Sequence, residues 1–278
     1  MTMTKSDMRR IKLTIEYDGT DYAGWQRQEN AMTVQQKTEE ALAKLLHEKV
    51  TLTGASRTDA GVHALGQVAH FDTDSPIPDD KFQFALNTML PWDIRIRDSV
   101  AVDDDFHSRF CAKGKVYRYM IYNSRHASAL LRRTHSHEMY PIDIERMDRE
   151  AQAMVGTHDF AAFAASGSVV KDTVRTIYAC RCVRNDDEIA LLVYGNGFLY
   201  NMVRILAGTL CQVGNGKIEE GAIKRALETN NRLQLGITAP PQGLTLMQVF
   251  YENEENKATE MFNRLVRKYD GQSISKSK

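Results

Sequence analysis

Residues 54–64, GASRTDAGVHA, set a guanidinium, a carboxylate and an imidazole among small side chains: Arg57, Asp59 and His63. The stretch follows a strand-like run at 50–53 and contains two glycines, so it reads as a loop mounted on a rigid element. An ionised carboxylate in such a loop can attack a carbon centre or remove a proton. Taken alone, Asp59 fits equally a turn residue or a helix cap, the ordinary places for Asp in a loop. His63 is a candidate for acid–base work or a structural histidine of a tight loop.

A second feature is a basic window. Residues 106–137 contain no Asp or Glu but carry Arg109, Lys113, Lys115, Arg118, Arg125, Arg132 and Arg133, with His107, His126, His135 and His137. Tyr117, Tyr119 and Tyr122 are interleaved. Cations neutralise phosphates and aromatic rings stack on unpaired bases, so the pattern points to RNA. Arg9, Arg10 and Lys12 are expected to extend this patch. Acidic residues cluster instead at 72–80 and 103–105, a polarity that steers an anionic ligand to one face.

The elements that must position these groups follow from periodicity. Residues 11–17 alternate apolar and polar, as a half-buried strand does. Thr33 with Gln36 forms a capping-box pattern ahead of a helix over 34–47. Strands are predicted at 67–71 and 94–102, with a helix from Asp79 and Asp80 to about 89. The pattern restarts with a strand at 116–122 and a helix capped by Asp143 that runs to about 155. A hairpin joins 174–183 to 188–194 through Asn185-Asp186-Asp187. An apolar helix over 199–213 ends at Gly214-Asn215-Gly216, a short helix covers 219–227, and a last strand covers 246–251. The tail is polar, with a helical patch near 261–266, and the terminal SISKSK is expected to be disordered.

Strands mixed with helices, including a hairpin, give an α+β class with helices packed on sheets. A boundary near residues 103–105 divides the chain into 1–105, 106–252 and a polar tail at 253–278.

Composition narrows the function. Lys plus Arg equals Asp plus Glu at 36 each, so net charge gives no partner; only its distribution does. No run approaches the roughly 20 apolar residues that span a bilayer, and the polar, basic start has no apolar leader segment. A cytoplasmic protein, with no membrane partner, is the expectation. Cys180 and Cys182 share a strand face by alternation, which fits either a metal site or, more ordinarily, two buried thiols. Gly214-Asn215-Gly216-Lys217 lacks the spacing of a phosphate loop, and Tyr200 stands where a dinucleotide fingerprint needs its third glycine.

SRTDAGVHA followed by GQVAHFDT closely resembles the motif of the bacterial tRNA pseudouridine synthase TruA family. YDGTDYAGWQ at 17–26, KVYRY at 115–119, GFLYNMVR at 197–204 and APPQGLTL at 239–246 resemble further segments of it in the same order. The resemblance runs from about 11 to 251. It implies a pseudouridine synthase fold of two similar RNA-recognition-like βαββαβ halves with antiparallel sheets and an active-site cleft between them. The first half would carry the aspartate loop, the second the tyrosine strand and arginine helix. It implies a homodimer acting on uridines of the tRNA anticodon stem-loop, around positions 38 to 40.

Carried over by position, Asp59 is the catalytic aspartate and Arg204 its cation. Tyr117 stacks on the target uracil, Arg57 helps hold the target base outside the stem, and Leu244 or Leu246 lines the base pocket. The reaction breaks N1–C1′, turns the base and rejoins it through C5, so it calls for no cofactor and no metal. The carboxylate can attack C1′, attack uracil C6, or remove a sugar proton; all three need it ionised. Arg204 lies in a helix with apolar or small neighbours on nearly every side, where an unpaired charge costs on the order of several kcal/mol.

Two other readings compete. A non-catalytic RNA-binding module would keep the basic window and lose Asp59, Tyr117 or Arg204, yet all three are present. An unrelated small-molecule enzyme with an aspartate nucleophile would leave the basic window without a purpose.

Overall fold

A computed structural model of the 278-residue chain describes residues 8–164 and 172–271. The terminal SISKSK lies outside the described residues. The chain forms two compact units, one of Met1–Ala112 with Leu246–Glu252, the other of Lys113–Thr245 with Asn253–Lys278.

The first unit runs β1 (Arg9–Tyr17), α1 (Val34–Leu46), β2 (Thr53–Gly54), β3 (His63–Thr73), α2 (Phe82–Asn87) and β4 (Ile94–Val102). The second runs β5 (Gly114–Asn123), β6 (Ser136–Glu138), α3 (Ile144–Ala151), β7 (Gly156–Asp159), β8 (Val174–Asn185), β9 (Glu188–Gly195), α4 (Met202–Gly214) and α5 (Ala222–Thr229). Then come β10 (Leu244–Phe250), most of which belongs to the first unit, and α6 (Glu255–Tyr269), which belongs to the second.

The class is α+β with mostly antiparallel sheets. In the first unit the order is β4-β1-β3-β10, and β2 pairs β3 at its side. Ile11, Leu13 and Ile15 on β1 point inward with Phe71 of β3, Leu42 of α1 and Phe82 and Leu86 of α2, all fully buried. The element sequence β1-α1-β2-β3-α2-β4 is the βαββαβ order. In the second unit β5-β9-β8-β7 is antiparallel throughout, with β6 added parallel to β5. Leu191, Val193, Phe160, Phe163, Leu206 and Leu210 fill its core.

Local chemistry explains most boundaries. Thr33 Oγ1 accepts from Gln36 N at 3.3 Å and caps α1, and the Gln36 side-chain amide donates to Glu40 at 3.0 Å. Asp143 Oδ1 accepts from Arg146 N at 3.0 Å and starts α3. α4 begins three residues later than the apolar run implied, because Asn201 adopts a left-handed backbone at φ 61°. The strand foreseen at 50–53 is reduced to Thr53–Gly54. The helical patch near 261–266 is part of a fifteen-residue helix that buries Ala258, Phe262 and Leu265.

Candidate active site

The aspartate loop is held from below by the turn-rich segment after β1. Where β1 meets β3, the register slips between Ile15 and Tyr17, a bulge that re-aims the end of the strand. Tyr17 is buried, and its hydroxyl lies 2.6 Å from Thr58 Oγ1, the residue before Asp59. Trp25 N donates to Thr58 O at 3.1 Å, and Gly61 N to Tyr22 O at 3.3 Å. Gly24, at φ +89°, lies so close beneath the loop that a Cβ there would sit 2.5 Å from Thr58 O. Asp59 O accepts from Val62 N at 3.1 Å and closes a tight turn, with Gly61 at φ +76° in its third position.

The other flank is anchored by a side chain that imitates a strand. Gln67 Oε1 accepts from Ser56 N at 3.1 Å, while its amide donates to Ser56 O at 2.7 Å. Gln67 is fully buried, so both bonds form away from water. Tyr22 donates its hydroxyl to Asp93 Oδ1 at 2.8 Å, and burial beside that carboxylate keeps the phenol protonated. Asp59 is half-buried, with Thr58 before it and the turn through Gly61 and Val62 after it held by these bonds. Arg57, two residues earlier, is exposed.

His63 is buried at the far end of the loop. Its Nδ1 lies 3.1 Å from Gly19 N and 3.1 Å from Asp18 Oδ1. Without a proton Nδ1 accepts from the Gly19 amide; with one it donates to Asp18. The two bonds are alternatives, and either one ties the loop to the turn after β1, which is a structural role.

The second unit holds Tyr117, Arg204 and Leu244. Tyr117 sits on β5 opposite Val193 of β9 and is 8% exposed, with its ring edge-on to Phe198 at 5.1 Å. Arg204 lies in the first turn of α4 and is half-buried. Its Nε donates to Ala239 O at 2.9 Å and its Nη1 to Asn201 Oδ1 at 2.8 Å. Tyr119 donates to the adjacent Pro240 O at 2.8 Å. The segment ahead of β10 is therefore gripped from α4 on one side and β5 on the other. Leu244 begins β10 in this unit, while Leu246 belongs to the first unit, and both are buried.

The structure redistributes the expected basic patch. Arg10 forms a two-pronged bond to Asp72 at 2.7 and 2.8 Å and donates to Asp104 O and Phe106 O. Arg9 donates to Ser75 O and Ile77 O. Arg9 and Arg10 thus tie down neighbouring chain, a correction to their placement in the patch. Arg118 is likewise internal, bonded to Tyr269 and Thr245. The exposed cations of the window are Arg109, Lys113, Arg125, Arg132 and Arg133.

Cys180 and Cys182 are buried free thiols, and burial pushes both well above the ordinary thiol value. Among the described residues no three His, Cys, Asp or Glu side chains are grouped to hold a metal ion. Among them, too, no helix is long and apolar enough to cross a membrane.

Residues 17–26, which in the sequence carry only the family resemblance, frame the aspartate loop. The available signal was a tryptophan and two glycines packed into ten residues otherwise rich in polar groups.

Comparison with known proteins decides the family. Residues 13–111 and 151–252 match the family described as tRNA pseudouridine synthase. The chain belongs to that family. It is accordingly an isomerase with the pseudouridine synthase fold, and Asp59, Arg204, Leu244 and Leu246 fall in the matched stretches, while Tyr117 falls between them. A tRNA pseudouridine synthase A of Ruminiclostridium cellulolyticum is 54% identical over 88% of this chain and its own whole length. One of Acetivibrio thermocellus is 55% identical over 88% of this chain and all of its own. Among solved structures, a Cbf5–Nop10–Gar1 complex is similar at a TM-score of 0.37 and 11% identity, over 87% of this chain and 50% of that one. Pseudouridine synthase chemistry thus comes from the family, and the arrangement about Asp59 from the first unit's own packing.

Proposed function

We propose that this chain converts uridine to pseudouridine in the anticodon stem-loop of tRNA, around positions 38 to 40, with Asp59 as the catalytic carboxylate. Family membership supports the reaction and the RNA class. The observation that carries the assignment to Asp59 is the frame around it: backbone and side-chain bonds fix the residue before it and the turn after it, leaving one half-buried carboxylate in a loop. A carboxylate meant only to cap a turn needs no such frame.

The chemistry follows from the bond changes. The N1–C1′ bond breaks, the uracil turns, C5 bonds to C1′, and the C5 proton leaves as N1 gains one. Attack at C1′, attack at C6 and removal of a sugar proton each begin with the ionised carboxylate. The target base must leave its stack to reach it, at a cost of roughly a few kcal/mol. Tyr117 takes the role of stacking on the uracil, Arg57 of holding the base out, Arg204 of supplying the countercharge, and Leu244 or Leu246 of lining the base pocket. A homodimer working in the cytoplasm completes the reading.

Serving neighbouring positions requires recognition through RNA shape and phosphates more than base edges. The test uses tRNA transcripts tritiated at uridine C5. Release is expected from transcripts with uridine only at 38, 39 or 40 and not when cytidine replaces all three. Equal release from the cytidine-substituted transcript would overturn the positional assignment.

A further inference from the structure

A surface feature of the first unit, in the turn after β4, has no part in the reaction. Phe110 is 78% exposed, an unusual place for a large apolar ring. It is not a loose side chain. Its ring lies 4.3 Å from the His107 imidazole at 31°, and the His107 ring contacts His70 at 5.1 Å. His70 in turn meets Phe106 edge-on at 6.0 Å, and Phe106 meets Tyr251 at 4.9 Å. The rings form a ladder that starts inside the unit and ends in solvent at Phe110.

Backbone bonds hold the outer rungs. The amides of Arg109 and Phe110 both donate to His107 Nδ1 at 3.2 Å, and Cys111 N donates to His107 O at 2.9 Å. Ser108 locks the turn inward, its hydroxyl 3.0 Å from His70 Nδ1 and donating to Thr53 O. The exposed ring is therefore presented on a rigid support, with little freedom left to lose on binding.

Arg109, the preceding residue, is exposed and carries a guanidinium next to the ring in sequence. A cation next to a presented aromatic face matches a phosphate and the base attached to it. A purely apolar partner would leave Arg109 unmatched.

From this arrangement we infer that Phe110 is a stacking platform for an unpaired base of the substrate RNA, distinct from the target uracil, with Arg109 on the flanking phosphate. The inference rests on the reading of tRNA as substrate. It adds a second point of contact on the unit that carries Asp59 and sets how the RNA strand lies across that unit.

The test measures binding of full-length wild type, Phe110→Ala, Phe110→Leu, Phe110→Trp and Arg109→Ala to an unmodified tRNA transcript, with tritium release alongside. Phe110→Ala and Phe110→Leu are each expected to weaken binding about tenfold, as loss of one base–aromatic stack does. The loss falls on KM rather than kcat, and Phe110→Trp restores binding. Arg109→Ala lowers the slope of log affinity against log salt by about one, whereas Phe110→Ala leaves it unchanged. Wild-type affinity in Phe110→Ala, full restoration by Leu, or equal loss with Trp would overturn the platform. Absence of tritium release from wild type would overturn the synthase reading instead, and the binding arm still decides Phe110.

Discussion

The hydroxyls of Tyr17 and Thr58 lie 2.6 Å apart in the interior of the first unit, so the end of β1 directly fixes the residue before Asp59. Removing that bond tests whether the frame matters to turnover. Tyr17→Phe leaves the Thr58 hydroxyl buried without its partner and is expected to cost about 1–2 kcal/mol in urea melts. Thr58→Val should act alike, and the double variant should cost less than the sum, since both remove one bond. Single-turnover rates should fall in all three while tRNA affinity holds.

Gly24 gives a sharper probe. A methyl group there meets both a left-handed backbone and Thr58 O at 2.5 Å. Gly24→Ala is expected to destabilise by about 1–3 kcal/mol. Displacing the aspartate loop by an ångström is expected to lower the single-turnover rate by about a hundredfold. A variant that is destabilised but reacts at the wild-type rate would detach the frame from catalysis.

Stability should depend on pH through His70. Burial, with Arg10 and His107 nearby, pushes this imidazole down to about 4 from an ordinary 6.5. Between those values the unfolded chain binds a proton that the folded chain refuses. The contribution is therefore whole above pH 6.5 and is lost as pH falls toward 4. Melting temperatures from pH 7.5 to 4 should fall across that window, and His70→Asn should flatten the fall. The Asp72–Arg10 pair acts lower, because Arg10 holds the Asp72 carboxyl below its usual value.

The thiols should report burial. Cys180 and Cys182 are buried and have raised values from burial, so a disulfide reagent should spare them in native protein and label them in denaturant. Rapid native labelling of Cys180 or Cys182 would contradict the packing of β8.

Much of this was legible in the sequence because it is local. The Asp143 cap, the hairpin through Asp186 and the alternation of β1 each depend on neighbours within a few residues. What was not legible depends on distant partners. Nothing near Arg10 foretells Asp72, sixty-two residues away, and nothing near Arg118 foretells Tyr269. Both arginines therefore looked like surface cations. The frame of the aspartate loop was hidden for the same reason, since Tyr17 and Thr58 are forty-one residues apart. The strands at Ser136–Glu138 and Gly156–Asp159 are too short to show a period. The patch near 261–266 marked α6, yet its many charges masked its full length, which Ala258, Phe262 and Leu265, spaced four and three apart, define.

The most direct measurement is single-turnover tritium release from C5-labelled tRNA by Asp59→Asn, with tRNA binding measured on the same preparation. The account predicts release lost by several orders of magnitude and affinity within about threefold of wild type, because the amide keeps the shape and removes the ionised oxygen. Release at a rate near wild type, or affinity lost together with turnover, would contradict the assignment of the chemistry to this carboxylate.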